Sequence, residues 1–270
     1  MYLGEKLAQV IHRVRERFPT VQRVTTYGRA STLARRAPED LALLHDAGLS
    51  RVHLGLESGA DEVLMAIDKG CTSGDLIGAG QKVLQAGLEL CFYLMPGLGG
   101  RADAATHVSG SARVIREVAQ AAPVDNPLVV RLRTAAVVPG TPLGARAAEG
   151  TFELPDDVEI ARELRDLLEH VGEARFELRS DHILNLLQEL EGSLPRDRDR
   201  LVALLDDYLG WPCEDQARFA IGVRLGLFRR LADYGDPGRM RALERQFEEF
   251  EQPGADELLR AAAALRSRFI

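Results

Sequence analysis

Residues 51–100 read RVHLGLESGADEVLMAIDKGCTSGDLIGAGQKVLQAGLELCFYLMPGLGG, and this stretch decides the fold. Its first seven residues are rich in strand formers and end in a polar tip. Residues 88–95 form a near-continuous apolar run of the kind that is buried on both faces of a parallel sheet. Helical spacing between the two runs predicts helices over residues 60–68 and 73–86. The stretch therefore predicts one parallel βαβ unit.

The same unit repeats on both sides of this stretch. Strand-like runs begin near residues 21, 51, 88, 128 and 174, which are 30 to 46 residues apart, and helical spacing separates them. After residue 195 only helical spacing continues, interrupted by proline and glycine. We therefore predict an α/β protein: a partial (β/α) TIM-like barrel of parallel strands over residues 1–195, and a helical C-terminal extension over residues 196–270.

Composition excludes some classes of protein. The 34 basic and 41 acidic side chains give a net charge of −7, which disfavours nucleic acid as a partner while leaving a local basic patch open. No apolar run approaches the roughly 20 residues that a membrane helix needs. The N-terminus shows no secretory signal, so we expect a cytoplasmic protein without a membrane partner.

Four short motifs follow one another at predicted strand ends and helix ends. They are GLESG at 55–59, KG at 69–70, GLGG at 97–100 and PGTPL at 139–143. In this order the chain resembles the radical S-adenosylmethionine (radical SAM) enzymes over roughly residues 20–185. The resemblance implies S-adenosylmethionine (SAM) as cofactor and a four-iron, four-sulfur cluster, at which SAM is reductively cleaved to start radical chemistry on a substrate that the sequence does not name.

Glu57, Ser58 and Lys69 are the first candidate site residues. Glu57 and Ser58 stand where a predicted strand leaves the sheet, so their side chains are expected at the mouth of the fold. A carboxylate there accepts hydrogen bonds from ribose hydroxyls or pairs with a cation; alternatively, neighbouring loop N–H groups satisfy it. The resemblance implies that Lys69 meets the carboxylate of the methionine part of SAM. The alternative is a lysine that complements the helix dipole.

Tyr93, Gly97, Arg131 and Arg133 complete the predicted cofactor-binding set. Tyr93 presents its ring or hydroxyl to a cofactor or packs in the core. Gly97 lets the backbone approach a ligand closely. The two arginines alternate with apolar residues and so share one face of a strand, where Glu57 is one candidate partner and a carboxylate of SAM or of a substrate is another. The alternative is an arginine row at the open edge of a sheet.

The segment RSDHILN at 179–185 offers a second set of polar groups. Asp181 beside His182 could orient or relay a proton near the mouth. A simpler interpretation makes Ser180 or Asp181 the N-cap of a helix through Leu187. The histidines show no HExxH or paired-ligand spacing, so we predict no metal site.

The cluster motif of the family is missing. The three cysteines, Cys71, Cys91 and Cys213, do not form CxxxCxxC, and the first predicted strand resembles the third strand of the family's barrel. We therefore expect the chain to begin inside the domain, as a gene fragment, a mispredicted start or a degenerate relative. Such a chain exposes a sheet edge at 21–27, and an N-terminal partner polypeptide could complete the barrel.

The sequence thus predicts a radical SAM domain protein that is inactive on its own. One alternative is a non-catalytic or partner-dependent protein that keeps part of the SAM pocket. Another is an ordinary (β/α)-barrel lyase or isomerase that works through Glu57, Lys69 or His182.

Overall fold

A computed structural model describes residues 4–123, 128–247 and 254–269. Within these ranges six strands form one sheet in the order β1 to β6. Neighbouring strands from β1 to β5 are parallel, and β6 pairs antiparallel with β5. The strands are β1 (Thr25–Gly28), β2 (Arg51–Glu57), β3 (Glu89–Leu94), β4 (Leu128–Leu132), β5 (Phe176–Arg179) and β6 (Gly192–Leu194).

Helices connect the parallel strands, as the repeating pattern predicts. The helices are α1 (Glu5–Arg17), α2 (Ala30–Ala34), α3 (Pro38–Asp46), α4 (Asp61–Ala66), α5 (Ser73–Gln85), α6 (Ala104–Ala119), α7 (Pro142–Ala148), α8 (Asp157–His170), α9 (Arg198–Leu209), α10 (Cys213–Arg224), α11 (Pro237–Phe247) and α12 (Ala255–Leu265). The coarse class, α/β with a mostly parallel sheet, is therefore confirmed. Because β1 and β6 stand at opposite ends of the strand order, the described sheet is open.

The two faces of the sheet differ sharply in polarity. On one face, side chains such as Leu54, Phe92 and Leu132 are buried in the main hydrophobic cluster together with residues of the surrounding helices. Burial alternates along β4 and β5, because successive side chains of a strand point to opposite faces. The second face therefore carries the polar and half-buried residues. It also carries Cys91 and Tyr93, so the run at 88–95 is not apolar on both sides.

Helices α9 to α12 pack against the same core. Residues such as Leu201, Phe219 and Leu259 belong to the hydrophobic cluster that includes the sheet. Asp157, at the start of α8, is buried and lies 2.5 Å from Arg224 Nη2 and 3.0 Å from Arg266 Nη2. The two arginines come from α10 and from the turn after α12, so ion pairs as well as apolar contacts join the C-terminal helices to α8. The boundary near residue 195 stays a prediction.

Several predicted elements differ in length or kind. The strand expected from residue 128 to 138 ends at Leu132, and the helix expected over 60–68 ends at Ala66. The predicted helix after Asp181 is wrong, because residues 180–190 form turns and bends. Ser180 Oγ instead donates a hydrogen bond to the carbonyl oxygen of Leu187. Strand β6 and helix α7 were not predicted. No helix in the described ranges is both long and apolar enough to cross a membrane.

Candidate functional site

The polar face of the sheet is the candidate site. Alternation along the strands places His53, Tyr93 and Arg131 on it, and strand pairing sets Tyr27 beside His53 and Tyr93 beside Arg131. The carboxyl ends of parallel strands, where α/β folds bind ligands, lie at Glu57, Leu94 and Leu132. The structure thus brings residues from four separate strands to one surface.

Glu57 and Lys69 form an ion pair at the end of β2. Lys69 Nζ lies 2.8 Å from Glu57 Oε1, and both side chains are about one-quarter exposed or less. Glu57 has a φ of 55°, which is unusual for a residue other than glycine, and the register of β2 with β3 shifts between Gly55 and Glu57. A Cβ added at Gly55 would collide with Glu57 Oε1, so this glycine makes room for the pair. Strained backbone at a strand end is a common feature of functional sites.

Ser58 and Gly97 belong to a buried set of polar contacts that joins two loops. Ser58 Oγ is 2.8 Å from His107 Nδ1, and His107 Nε2 is 3.4 Å from Glu163 Oε1. The amide of Gly97 donates to the same carboxylate at 2.9 Å. All four residues are buried. The network therefore ties the loop after β2 to the loop after β3, and direct contact of Ser58 or Gly97 with a cofactor stays a prediction.

An aromatic cluster occupies the centre of the face. The rings of Tyr27, His53 and Tyr93 have centroids 5.1 to 6.2 Å apart and planes within 30° of parallel. The Tyr93 hydroxyl lies 3.1 Å from His53 Nδ1 and 3.4 Å from the Tyr27 hydroxyl. Burial lowers the pKa of His53, and the positive charges of Arg51 and Arg131 act in the same direction, so the imidazole is neutral at pH 7.

Arg131 and Arg133 share one carboxylate. Asp181 lies 2.6 Å from Arg131 Nη2 and 3.2 Å from Arg133 Nη1, and the three side chains are 24–37% exposed. The Arg133 guanidinium also lies 5.0 Å from the centre of the Tyr93 ring. The predicted placement of both arginines on one face is thus observed, whereas Asp181 serves as their counterion rather than as a helix cap.

His182 lies beside this group without joining it. Burial lowers the pKa of His182, with the charge of Arg133 acting in the same direction. Its Nδ1 lies 3.4 Å from the amide of Leu184. Asn185 is buried and its Oδ1 accepts from the amide of Thr134 at 3.1 Å. These contacts hold the loop after β5 against the end of β4.

The cysteines do not fit an iron–sulfur cluster. Burial raises the pKa values of the Cys71 and Cys91 thiols, which disfavours the thiolate that a metal requires. Cys213 is exposed at the start of α10. Among the described residues, no three histidine, cysteine, aspartate or glutamate side chains converge as metal ligands. The cluster that the resemblance implies therefore has no donor set in this part of the chain.

Sequence reasoning missed Tyr27, His53, His107 and Glu163. His53 could have been predicted from the sequence, because alternation along β2 places it on the same face as Arg51 and Gly55. Tyr27 is the third residue of the short first strand, and only the pairing of β1 with β2 reveals its neighbours. His107 and Glu163 lie on helices far apart in sequence, so no local pattern joins them.

Comparison with known proteins gives one family and a structural likeness. The Radical SAM superfamily profile matches residues 5–107. Among solved structures, the chain is similar to the archaeal Methanocaldococcus infernus Elp3 with an N-terminus deletion (1–46), with 19% identity, a TM-score of 0.42, and coverage of 58% of this chain and 34% of that one. The chain thus spans about a third of the length of that structure. No curated protein matches it. The profile match over residues 5–107 supports the radical SAM superfamily that the order of the motifs predicts.

Proposed function

We propose that the polar face binds SAM at the end of β2, and that this chain by itself holds no iron–sulfur cluster. The Glu57–Lys69 ion pair carries the proposal, because it presents one carboxylate and one ammonium group at a strand end within the segment that matches the family. The complementary groups of SAM are its ribose hydroxyls and its methionyl carboxylate. SAM contains both kinds of group, so the donor set fits this cofactor.

The residues of this chain would bind and orient the cofactor. Glu57 accepts hydrogen bonds from the ribose diol, and Lys69 pairs with the methionyl carboxylate once the two side chains separate. Gly55 leaves the space in which they move. Tyr93, Arg131 and Arg133 line the neighbouring part of the face, where the arginines suit a carboxylate of SAM or of a substrate. When it is bound at a reduced cluster, SAM is the source of radical chemistry in this superfamily.

A partner polypeptide is part of the proposal. The cluster ligands absent from the described residues would have to come from another segment or chain. Strand β1 lies at one edge of the sheet that the described residues form, and its four residues are exposed or half-buried. We propose that an N-terminal partner completes the barrel there. Without that partner the protein is a SAM-binding protein rather than an enzyme.

Glu57→Ala and Lys69→Ala are each expected to weaken SAM binding. Loss of one charge-assisted hydrogen bond costs about 1.5–3 kcal/mol, which corresponds to a roughly tenfold to hundredfold higher Kd. Isothermal titration calorimetry with SAM measures the change. Glu244→Ala, which removes an exposed carboxylate on α11, serves as the control and leaves the Kd unchanged. Equal affinities in all four proteins, or no SAM binding by the wild type, would contradict the proposal.

Anaerobic reconstitution with iron and sulfide is expected to leave the chain without a stoichiometric cluster. The three cysteines lie on different elements, two of them with raised pKa values. Iron and sulfide analysis and the charge-transfer absorbance test this. A stable cluster that is lost in Cys71→Ala or Cys91→Ala would show that the cysteines converge and that the chain is competent alone.

A further inference from the structure

The aromatic cluster has an exposed end. Tyr27 is 69% exposed, although its ring lies parallel to the rings of His53 and Tyr93. One exposed aromatic side chain on a protein surface is unremarkable. Here it continues a polar, half-buried surface that runs across β2 and β3 to the arginines of β4. The outer face of Tyr27 is therefore a surface on which a planar molecule can stack.

The arginines beside the cluster are not fully neutralised. Among the residues that the structure describes, Arg131 and Arg133 pair with one carboxylate, that of Asp181, so this group of three side chains carries a net charge of one positive unit. On the next strand, Arg179 has two carboxylates within reach, Glu177 at 3.2 Å and Glu191 at 3.6 Å. His53 of the aromatic cluster is neutral or positively charged in its two states and so supplies no anion to the arginines. A half-buried surplus cation favours an anionic ligand.

We propose that this part of the polar face binds a planar aromatic ring that carries an oxyanion, with the ring on Tyr27 and the carboxylate or phosphate between Arg131 and Arg133. The Tyr93 ring spans the distance between the two contacts: its hydroxyl meets Tyr27 and its face meets the Arg133 guanidinium. The oxyanion binds the two arginines either in place of Asp181 or together with it. Planar guanidinium groups bind carboxylates and phosphates in two-pronged fashion.

This inference goes beyond SAM binding and names the chemical class of a second ligand. The SAM proposal depends on Glu57 and Lys69 at the end of β2, whereas the second ligand depends on Tyr27 of β1 and on the two arginines of β4 and the loop after it. The two proposals therefore fail independently. A substrate placed here would lie beside the SAM site on the same face.

Binding of two probes tests the proposal. 1-Naphthyl phosphate supplies a ring with a phosphate, and 1-naphthoate supplies a ring with a carboxylate; neither carries the ribose diol that the SAM site would bind. 1-Naphthol supplies the ring alone, and inorganic phosphate and acetate supply the oxyanions alone. We expect at least one ring–oxyanion probe to bind the wild type in calorimetry or ligand-observed NMR at millimolar concentration, and to bind about tenfold more tightly than either half alone. Comparison of the two probes distinguishes a phosphate from a carboxylate ligand.

Paired variants separate stacking from charge. Tyr27→Ala is expected to raise the Kd of the bound probe about tenfold, while Tyr27→Phe, which keeps the ring, leaves it near the wild-type value. Arg133→Gln is expected to raise it about tenfold or more, and Arg133→Lys retains part of the affinity. Arg179→Gln is the matched control, because Arg179 pairs in register with Arg131 but already has two carboxylates. Circular dichroism shows that each variant is folded.

Three results would overturn the proposal. The first is that neither ring–oxyanion probe binds. The second is that Arg133→Gln and Arg179→Gln weaken probe binding equally. The third is that Arg133→Gln weakens the binding of both SAM and the probe, and that the two ligands compete strictly. The last result would assign the arginines to SAM itself. Loss of SAM binding in Glu57→Ala with probe binding intact would support two separate subsites.

Discussion

Replacing Asp157 by alanine is expected to lower the free energy of unfolding by about 3–5 kcal/mol. The carboxylate is the counterion of Arg224 and Arg266, whose side chains are 0% exposed, and it is itself 1% exposed. Burial lowers the pKa of Arg266, and Asp157 opposes that shift. Removing Asp157 leaves two buried guanidinium groups without the carboxylate that both of them contact. Urea denaturation followed by circular dichroism measures the loss.

Two further variants show whether the loss comes from buried charge. Asp199→Ala removes an exposed carboxylate from the first turn of α9 and is expected to change stability by less than about 0.5 kcal/mol. Replacing Asp157 by leucine and both arginines by methionine removes all three charges and recovers most of the loss, because a buried ion cluster contributes little net stability when apolar groups replace all of it. Equal stability of Asp157→Ala and Asp199→Ala would contradict this account.

Gly59→Ala is expected to destabilise the protein by about 1–3 kcal/mol. An added Cβ would collide with the carbonyl group of Gly110 and lie 2.6 Å from Ser111 Cα, so it meets the backbone of α6 rather than a movable side chain. The amide of Gly59 also donates to Ser111 Oγ at 3.0 Å. Pushing the loop off α6 moves Glu57 and Ser58, so SAM affinity should fall as well. Thermal denaturation and calorimetry measure the two effects.

Gly78→Ala is the matched control for this variant. Gly78 lies within α5, and nothing within 4 Å would meet its Cβ. Because alanine is about 1 kcal/mol better than glycine inside a helix, this change should stabilise the protein. If Gly59→Ala lowers the free energy of unfolding and Gly78→Ala raises it, the glycine of the GLESG loop is required because its backbone lies so close to α6. The same sign at both positions would contradict this explanation.

Much of the architecture was readable from local patterns. Alternation in RVHLGLE and the apolar run at 88–95 predicted β2 and β3 at nearly their observed bounds, because strand periodicity is a local property. The spacing of two residues between Arg131 and Arg133 predicted, for the same reason, that both side chains lie on one face. The motifs GLESG and GLGG predicted the radical SAM superfamily, and the profile of that superfamily matches residues 5–107. The absence of CxxxCxxC was likewise plain from the sequence.

The amino-acid sequence by itself therefore determined the five parallel strands and most of the helices between them, and it predicted the radical SAM superfamily without a CxxxCxxC motif in residues 1–270. Only the tertiary structure decided which side chains meet: Lys69 with Glu57, Tyr27 with His53, Asp181 with two arginines and Asp157 with two others. Periodicity indicates which face of a strand or helix a side chain occupies. Which residue lies opposite that side chain depends on strand register, on the path of the loops and on helix packing. These depend on contacts between residues up to 111 positions apart, such as Arg266 with the Pro155 carbonyl, and no local pattern encodes them.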